Sequence, residues 1–421
     1  MSTVTILKNT DVNREVFLMR NGFGMKVYVI PDKKLNKKEI RLVVRYGGND
    51  LMYKDRITGD IKKLPEGIAH YIEHLTFNEE KSSYDELFKI YDKLNCEVNA
   101  YTNVNETTYE VDVYGTEYIN PLRKLLSFVL KPYYTKAGIE KERGIISSEI
   151  EIRQAFTNIN NVMFANSFKS SSVIGTKKSI STITEDMINN VYENYYTLNN
   201  MALIVSGDVL PGEVFNEVDK MLTKLNVVYK PKVERIFKEQ EKNTNNILKG
   251  NYNKIKEPYM QFGAKVEKID KREKIKLRVA AKILDIIYFS KMSEFSYDLF
   301  ENRVIDKIPV FNYYDYYDAF VITCFTNSPF KLKKFLTQYL YDIKDKKISK
   351  EEFEIAKKAL YGRNIRLYNK KLSDIVIKNF LLDEIPFSEL DVLSTMSIEN
   401  YKKYVKILLE NIDENYMYYQ R

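Results

Sequence analysis

Apolar side chains recur along the chain with the spacings of strands and helices. Strand patterns occur at 109–113 and 319–323, and the apolar run at 200–208, which ends in Ser-Gly-Asp, predicts a buried strand with a turn. Helical spacing predicts longer segments at about 122–130, 135–154, 332–340 and 349–366. Strands mixed with longer helices in this way indicate α+β domains in which helices pack on a sheet.

The two halves of the chain repeat one layout of strand, helix, turn and helix. Two similar helix starts, Ile139–Glu142 and Ile348–Glu351, lie about half a chain length apart. A polar segment between the halves carries charges and asparagines with few apolar residues. We therefore expect two tandem, similar domains, residues 1–225 and 250–421, joined by a linker at 226–249.

The composition and the apolar pattern of the chain indicate the cellular compartment in which the protein is found. No apolar run approaches the roughly 18 residues that a membrane span needs. Residues 1–10 lack the basic-then-apolar pattern of a signal peptide. The two cysteines, Cys96 and Cys324, lie far apart and suggest neither a disulfide framework nor a metal pair. These features predict a cytoplasmic protein with no membrane span.

The net charge of +8 raises the question of a nucleic-acid partner. However, the 66 basic residues are interleaved with 58 acidic ones, and no basic block stands apart from acids. No spacing typical of an RNA-recognition motif or a zinc finger occurs either. We therefore expect no nucleic-acid partner, while a basic nucleic-acid-binding protein remains an alternative that predicts salt-sensitive binding to DNA or RNA.

The only two histidines of the chain stand four residues apart, at His70 and His74, with Glu73 between them. In a helix this spacing places both imidazoles on one face, where two neutral ring nitrogens can bind one divalent metal, with zinc as the first candidate. Glu73 shares that face and could reach a water molecule at the metal. Pro65–Gly67 suits the entry to such a helix. The alternative is an ordinary helix with two surface histidines and a salt-bridging glutamate.

A catalytic zinc site usually has a third protein ligand, and without another histidine or a nearby cysteine that ligand must be a carboxylate. Glu142 and Glu149 stand two helical turns apart on one apolar face of the helix predicted at 135–154. A carboxylate there needs a cation or a hydrogen-bonding partner. We therefore predict Glu149 as the third ligand and Glu142 as the partner of an imidazole. A buried salt bridge to Arg143 or Arg153 is the alternative.

These residues resemble a known family, the pitrilysin-type zinc peptidases with an inverted H-x-x-E-H motif, called M16. The resemblance rests on His70–His74, on the spacing from Glu142 to Glu149, and on the segment Cys96–Thr102. It implies an M16B-like subunit with two similar α+β domains, each an antiparallel-rich sheet with helices packed on one face. Two such chains would close around a chamber like the halves of a clam shell.

The resemblance also implies a role for each candidate residue. Zinc, one ion per chain, would be bound by His70, His74 and Glu149, with Glu73 as general base and Glu142 supporting the ligands. A peptide substrate would add as a further strand to an edge strand lined by Asn99, Ala100 and Tyr101. A plain strand end is the alternative for that segment. The implied activity is that of an intracellular zinc endopeptidase acting on peptides or unfolded segments, with the leader of a ribosomally synthesised peptide precursor as one candidate substrate.

One feature of the family is missing from the second half. Many members carry an arginine, followed seven residues later by a tyrosine, after a Leu-Phe pair, and both help to hold the substrate. Counting from Leu299-Phe300 places Val304 and Phe311 at those positions, with Arg303 one place early. We therefore expect a heterodimer in which a homologous partner subunit supplies the Arg/Tyr pair. The alternative is a non-catalytic M16-like structural or partner-binding subunit.

Overall fold

The computed structural model describes residues 2–76, 91–153, 159–164, 167–237, 247–249, 257–267, 269–410 and 412–419. Its strands, in chain order, are β1 (Thr3–Asn9), β2 (Arg14–Arg20), β3 (Lys26–Pro31), β4 (Lys38–Val44), β5 (Met52–Lys54), β6 (Ile61–Lys63), β7 (Cys96–Thr102), β8 (Thr107–Val113), β9 (Met201–Gly207), β10 (Glu234–Arg235), β11 (Ile247–Lys249), β12 (Tyr259–Lys265), β13 (Val310–Tyr314), β14 (Ala319–Phe325) and β15 (Asn415–Tyr419).

Its α-helices, in chain order, are α1 (Ile68–Thr76), α2 (Ile119–Leu130), α3 (Lys136–Arg153), α4 (Ile159–Met163), α5 (Lys177–Ser181), α6 (Glu185–Tyr195), α7 (Pro211–Lys224), α8 (Lys271–Tyr288), α9 (Glu294–Glu301), α10 (Pro329–Asp345), α11 (Lys350–Lys370), α12 (Leu372–Leu382), α13 (Ser388–Thr395) and α14 (Ile398–Leu409). Every strand and helix predicted from the apolar pattern overlaps one of these elements, and no predicted end lies more than one residue outside the observed one. The predicted strands correspond to β8, β9 and β14, and the predicted helices to α2, α3, α10 and α11.

The chain divides into two compact units. Unit 1 comprises Met1–Gln154, Ser171–Lys238 and Asn369–Pro386, and unit 2 comprises Ala155–Ser170, Glu239–Tyr368 and Phe387–Arg421. The division into sequence halves at 226–249 stays a prediction at the level of domains, and residues 238–246 of that linker lie outside the described residues. Compared with the halves, two segments change places: 155–170 belongs to unit 2 and 369–386 to unit 1.

Within the described residues, unit 1 is built on a seven-stranded sheet of order β1-β2-β3-β9-β4-β8-β7. Only β3 and β9 pair in parallel; the other neighbours are antiparallel. One face carries the apolar side chains of alternate positions, such as Leu42 and Val111, and packs against α2 and α7. Helix α12 contacts β9 from the other face, where Ser373 bonds to Ser206 at 2.9 Å.

Unit 2 has its own sheet and core. In the part that the structure describes, its strands run in the order β11-β15-β12-β14-β13, with β11 and β15 parallel and the remaining pairs antiparallel. Helix α8 packs against β13, α13 and α14 around an apolar core. Helix α4 packs on β12 and β15, where Gly263 leaves room for the buried side chain of Met163, since a Cβ there would lie 2.2 Å from the methionine sulfur. None of the helices in the described segments has the length and apolar character that a bilayer crossing requires.

Candidate metal centre

Helix α1 carries the residues of the H-x-x-E-H motif and packs into the core of unit 1. It starts directly after Gly67, whose φ of +89° lies in the left-handed region that favours glycine. A Cβ at this position would also lie 2.6 Å from the carbonyl oxygen of Ile174. Ile68 and Ile72 are buried in the core, so the helix is anchored by one face. The chain entry and the apolar anchor together fix where the histidines point.

His70, His74 and Glu149 converge as the sequence predicts. Oε2 of Glu149 lies 3.8 Å from Nε2 of His70 and 3.8 Å from Nε2 of His74. One ligand atom from each residue lies within 4.8 Å of the other two. Tetrahedral zinc with bonds of about 2.0 to 2.1 Å separates its ligand atoms by about 3.4 Å, so small side-chain shifts would complete the site. Two imidazoles and one carboxylate also form a donor set typical of catalytic zinc, which keeps a further position open.

Glu142 contacts the candidate metal ligands through His74. Its Oε2 lies 3.1 Å from Nδ1 of His74, and its side chain is buried. Burial lowers the pKa of His74, but the hydrogen bond to Glu142 and the charges of Glu73, Glu142 and Glu149 raise it, and the net pKa lies above its ordinary value. With the Nδ1 proton held by Glu142, Nε2 is the nitrogen that faces Glu149. This is the arrangement that carboxylate partners of metal-binding histidines adopt.

The salt-bridge alternative does not apply to Arg143. Its Nη2 lies 3.0 Å from Oε1 of the exposed Glu140 and donates to the carbonyl oxygen of Ile183 at 3.0 Å. Nη1 donates to the carbonyl oxygen of Ile180. Arg143 therefore connects α3 to the segment around α5 and leaves Glu142 and Glu149 of α3 to the histidines. The side chain of Arg153 lies outside the described residues.

Glu73 lies on α1 between the histidines, with 8% of its surface exposed. Its Oε2 accepts a hydrogen bond from Oγ1 of Thr102, at 2.5 Å. Thr102 is the last residue of β7, and the sequence did not predict a functional role for its side chain. Its only signal in the sequence was its place at the end of the segment Cys96–Thr102.

Asn99, Ala100 and Tyr101 lie on β7, the outermost strand of the unit 1 sheet in its described part. Their partners across the antiparallel pair are Glu110, Tyr109 and Thr108. Asn99 and Tyr101 point to the face opposite the apolar core, on the same side of the sheet as Glu110 and Thr108. The side of β7 that faces away from β8 has no neighbouring strand among the described residues, so β7 is an edge strand. The role of the three residues stays a prediction.

The positions after Leu299-Phe300 offer neither an arginine nor a tyrosine side chain in the expected arrangement. Val304 and Phe311 are core residues of unit 2, with 1% and 8% of their surface exposed. Arg303 is exposed and has a φ of +51°, in the turn that follows α9. The departure from the family pattern is therefore present in the structure as well as in the sequence.

Two family models match the chain. One, described as "Insulinase (Peptidase family M16)", matches residues 60–177, and the other, described as "Peptidase M16 inactive domain", matches residues 182–360. Together they cover well over half of the chain, and the first contains every candidate ligand. The chain belongs to peptidase family M16.

Individual proteins show the same relationship. The chain is 28% identical over 397 residues to the "Uncharacterized zinc protease YmfH" of Bacillus subtilis, covering 91% of each chain. It is 25% identical over 166 residues to the mitochondrial-processing peptidase subunit beta of Neurospora crassa, which is 38% of this chain and 35% of that one. The crystal structure of an M16-like peptidase from Alicyclobacillus acidocaldarius superposes with a TM-score of 0.83 at 21% identity, covering 98% of this chain and all of the other. This similarity confirms the predicted fold class.

Proposed function

We propose that this chain is the zinc-bearing subunit of an endopeptidase that cleaves peptides or unfolded segments. The observation that carries the proposal is the convergence of His70, His74 and Glu149, with their ligand atoms within 4.8 Å of one another. The identity to a protein named as a zinc protease supports the same activity. Two surface histidines without a function would not explain why the buried Glu142 carboxylate contacts Nδ1 of His74. Nor would they explain why the Glu149 carboxylate lies 3.8 Å from Nε2 of both histidines.

Each residue of the site would have its own role in peptide hydrolysis. His70, His74 and Glu149 would hold one zinc ion per chain. Zinc in such a site supplies a Lewis acid that polarises a carbonyl group and lowers the pKa of water. Glu73 would act as general base, taking a proton from the attacking water and later delivering it to the leaving amine. Glu142 keeps His74 in the tautomer and orientation that binding requires.

Strand β7 would bind the substrate. An extended peptide can pair with the free side of an outer strand through backbone hydrogen bonds, and such pairing is largely independent of side-chain identity. Asn99, Ala100 and Tyr101 occupy that strand just before Thr102, which contacts the base Glu73. A peptide bound there would therefore run past the catalytic residues of unit 1.

The proposal extends to a partner and a compartment. The missing Arg/Tyr pair suggests that a homologous subunit completes the site, and the relative named subunit beta of a processing peptidase supports pairing. Cys96 and Cys324 are both free and buried, in accord with a reducing cytoplasm. The leader of a ribosomally synthesised peptide precursor remains a candidate substrate, by analogy alone.

The alternative is a non-catalytic subunit. It is favoured by the second family model, whose description is that of an inactive domain. That match covers residues 182–360, however, and all candidate ligands lie outside it. Tightly bound zinc without turnover, even in the presence of the partner, would be the result that favours this alternative.

Substitution of the base tests the proposal. The chain would be isolated from its own cells with its co-purifying proteins, and its zinc content and its hydrolysis of casein and quenched-fluorescent peptides would be measured. We expect Glu73→Gln to keep the zinc and to abolish hydrolysis, because Glu73 is placed as base and not as ligand. Glu151→Gln, at an exposed glutamate of the same region paired with Lys177, is the matched control and should remain active. Wild-type preparations that lack zinc and ignore chelators would contradict the proposal.

A further inference from the structure

The hydroxyl of Thr102 lies 2.5 Å from the Glu73 carboxylate, although the two residues are 29 positions apart in the sequence. We propose that Thr102 is a positioning residue that orients the Glu73 carboxylate for proton transfer. The proposal rests on the peptidase function argued above and adds to it a residue that touches neither the metal ligands nor the bond to be cleaved. Thr102 would act only through Glu73.

The direction of this hydrogen bond follows from counting protons. An ionised carboxylate can only accept, so the hydroxyl of Thr102 must donate its single proton to Glu73. The nearest other hydroxyl, Oγ1 of Thr107, lies 3.4 Å from that of Thr102 and donates its own proton to the carbonyl oxygen of Tyr46 at 2.9 Å. Thr107 therefore does not compete for Glu73. A hydrogen bond to a charged acceptor is shorter and stronger than one between neutral groups.

The end of β7 that carries Thr102 is anchored by backbone hydrogen bonds to the turn that follows it. Between β7 and β8 the chain turns at residues 103–106, and the loop after β4 docks onto this turn. The backbone N–H of Gly48 donates to the Asn103 carbonyl and that of Asn49 to the Val104 carbonyl, both at 2.9 Å. Gly47 allows this approach, because a Cβ there would lie 2.4 Å from the backbone nitrogen of Asn105. A donor on such a support can hold its acceptor in one orientation.

This arrangement links the substrate strand to the base. Tyr101 and Thr102 are neighbours on β7 and point to opposite faces of the sheet, because side chains alternate along a strand. One face would contact a bound peptide through Asn99 and Tyr101, and the other presents the Thr102 hydroxyl to Glu73. The position of the base is thereby set by the same backbone on which the substrate would align. Displacing a catalytic group by about 1 Å can cost about 100-fold in rate.

Three variants test the proposal on the preparation used for Glu73→Gln. Thr102→Val keeps the shape but removes the donor, and we expect kcat to fall about 10- to 100-fold while KM changes less than about 2-fold. Thr102→Ser restores the hydroxyl and should return kcat to within about 3-fold of wild type. Thr107→Val is the matched control, since it removes a hydroxyl of the same hairpin that bonds to backbone instead of to the base. It should lower the melting temperature without the loss in kcat.

Two further measurements separate positioning from general damage. Zinc content should be unchanged in all three variants, because none alters a ligand. A crystal structure of Thr102→Val should show the Glu73 carboxylate rotated from its wild-type orientation. Wild-type kcat in Thr102→Val, or an equal loss in Thr107→Val, would overturn this inference while leaving the peptidase function intact. An inactive wild-type enzyme would overturn both.

Discussion

Glu142 lies outside the proposed ligand set but contacts the candidate metal centre. Its carboxylate holds Nδ1 of His74 at 3.1 Å and so fixes the ring that presents Nε2 to Glu149. Loss of such a partner typically weakens metal affinity about 10- to 100-fold. We therefore expect Glu142→Ala to weaken zinc binding by about that factor, measured by competition with a chromophoric chelator.

The neighbouring Glu140 provides the control for this experiment. It lies on the same helix, its side chain is 67% exposed, and it pairs with Arg143 instead of a histidine. Glu140→Ala should leave the zinc affinity unchanged. Equal affinities for wild type and Glu142→Ala would show that His74 is oriented by other contacts.

Individual residues differ in how far the sequence reveals them. His70 and His74 could be predicted because the chain has only two histidines and their spacing is that of one helical turn. Glu142 and Glu149 followed from helix geometry, since carboxylates on an apolar face need partners. The role of Thr102 could not be predicted, because threonines commonly occur at strand ends without a functional role. Its contact with Glu73 depends on the tertiary fold.

At the scale of elements, helix α1 is fixed to the sheet by a chain of hydroxyl groups. Thr76 donates to the Ile72 carbonyl at 2.7 Å, so it accepts from the Tyr109 hydroxyl, 3.0 Å away. The Tyr109 oxygen in turn accepts from the Tyr196 hydroxyl at 2.9 Å. We expect Tyr109→Phe to lower the free energy of unfolding by about 1 to 3 kcal/mol, because buried hydroxyls lose a partner. Urea denaturation of the full chain measures this.

Tyr114→Phe is the control for the hydroxyl chain. Tyr114 follows the same strand, is 46% exposed, and donates to Glu97 at 2.9 Å, where water can replace the lost contact. Its loss should change the unfolding free energy by less than about 0.5 kcal/mol. Similar effects for Tyr109→Phe and Tyr114→Phe would mean that the buried chain does not hold the helix.

A second element, α8, carries a carboxylate that opposes folding at neutral pH. Burial raises the pKa of Asp285 from 3.8 to about 6, with only a partial opposing effect from Arg363. The folded state therefore binds more protons than the unfolded state between these values, and stability falls as the pH rises from about 4 to 6. We expect Asp285→Asn to be more stable than wild type at pH 7.5, by up to about 3 kcal/mol, and much closer to it at pH 4.5.

Urea denaturation at the two pH values checks this expectation. Asp342→Asn, at an exposed aspartate of α10, should show no such dependence on pH relative to wild type. An Asp285→Asn variant whose advantage is the same at both pH values would show that packing, not charge burial, causes the effect.

The elements themselves were largely predictable, but their assignment to units was not. Periodic apolar positions indicate that a helix such as α12 has a buried face, but they do not identify the surface that covers it. In the structure α12 contacts β9, and Ser373 bonds to Glu39 at 2.7 Å, so the helix groups with unit 1 despite its late place in the chain. Contacts between residues so distant in sequence leave no local pattern.

At the scale of the whole molecule, all candidate ligands lie in unit 1, and the chain has no histidine elsewhere. One zinc ion per chain is therefore the expected stoichiometry. Unit 2 cannot supply the family's Arg/Tyr pair from the expected positions, because Val304 and Phe311 are buried apolar residues. Under the proposed function a second chain would supply these side chains, and we expect this chain to be an incomplete enzyme by itself.

The proposed partner subunit can be tested directly by an experiment on assembly. We expect the purified chain alone to bind zinc but to hydrolyse peptides poorly, and a homologous subunit that lacks the H-x-x-E-H motif but carries the Arg/Tyr pair to restore the rate. Mass photometry would follow formation of the one-to-one complex, and peptide hydrolysis would be assayed on the same samples. Within the complex, Glu73→Gln in this chain and Arg→Ala in the partner should each abolish the gain, because each removes one half of a shared site. Full activity of this chain as a monomer or homodimer would instead show that its own residues suffice and that the missing pair is dispensable.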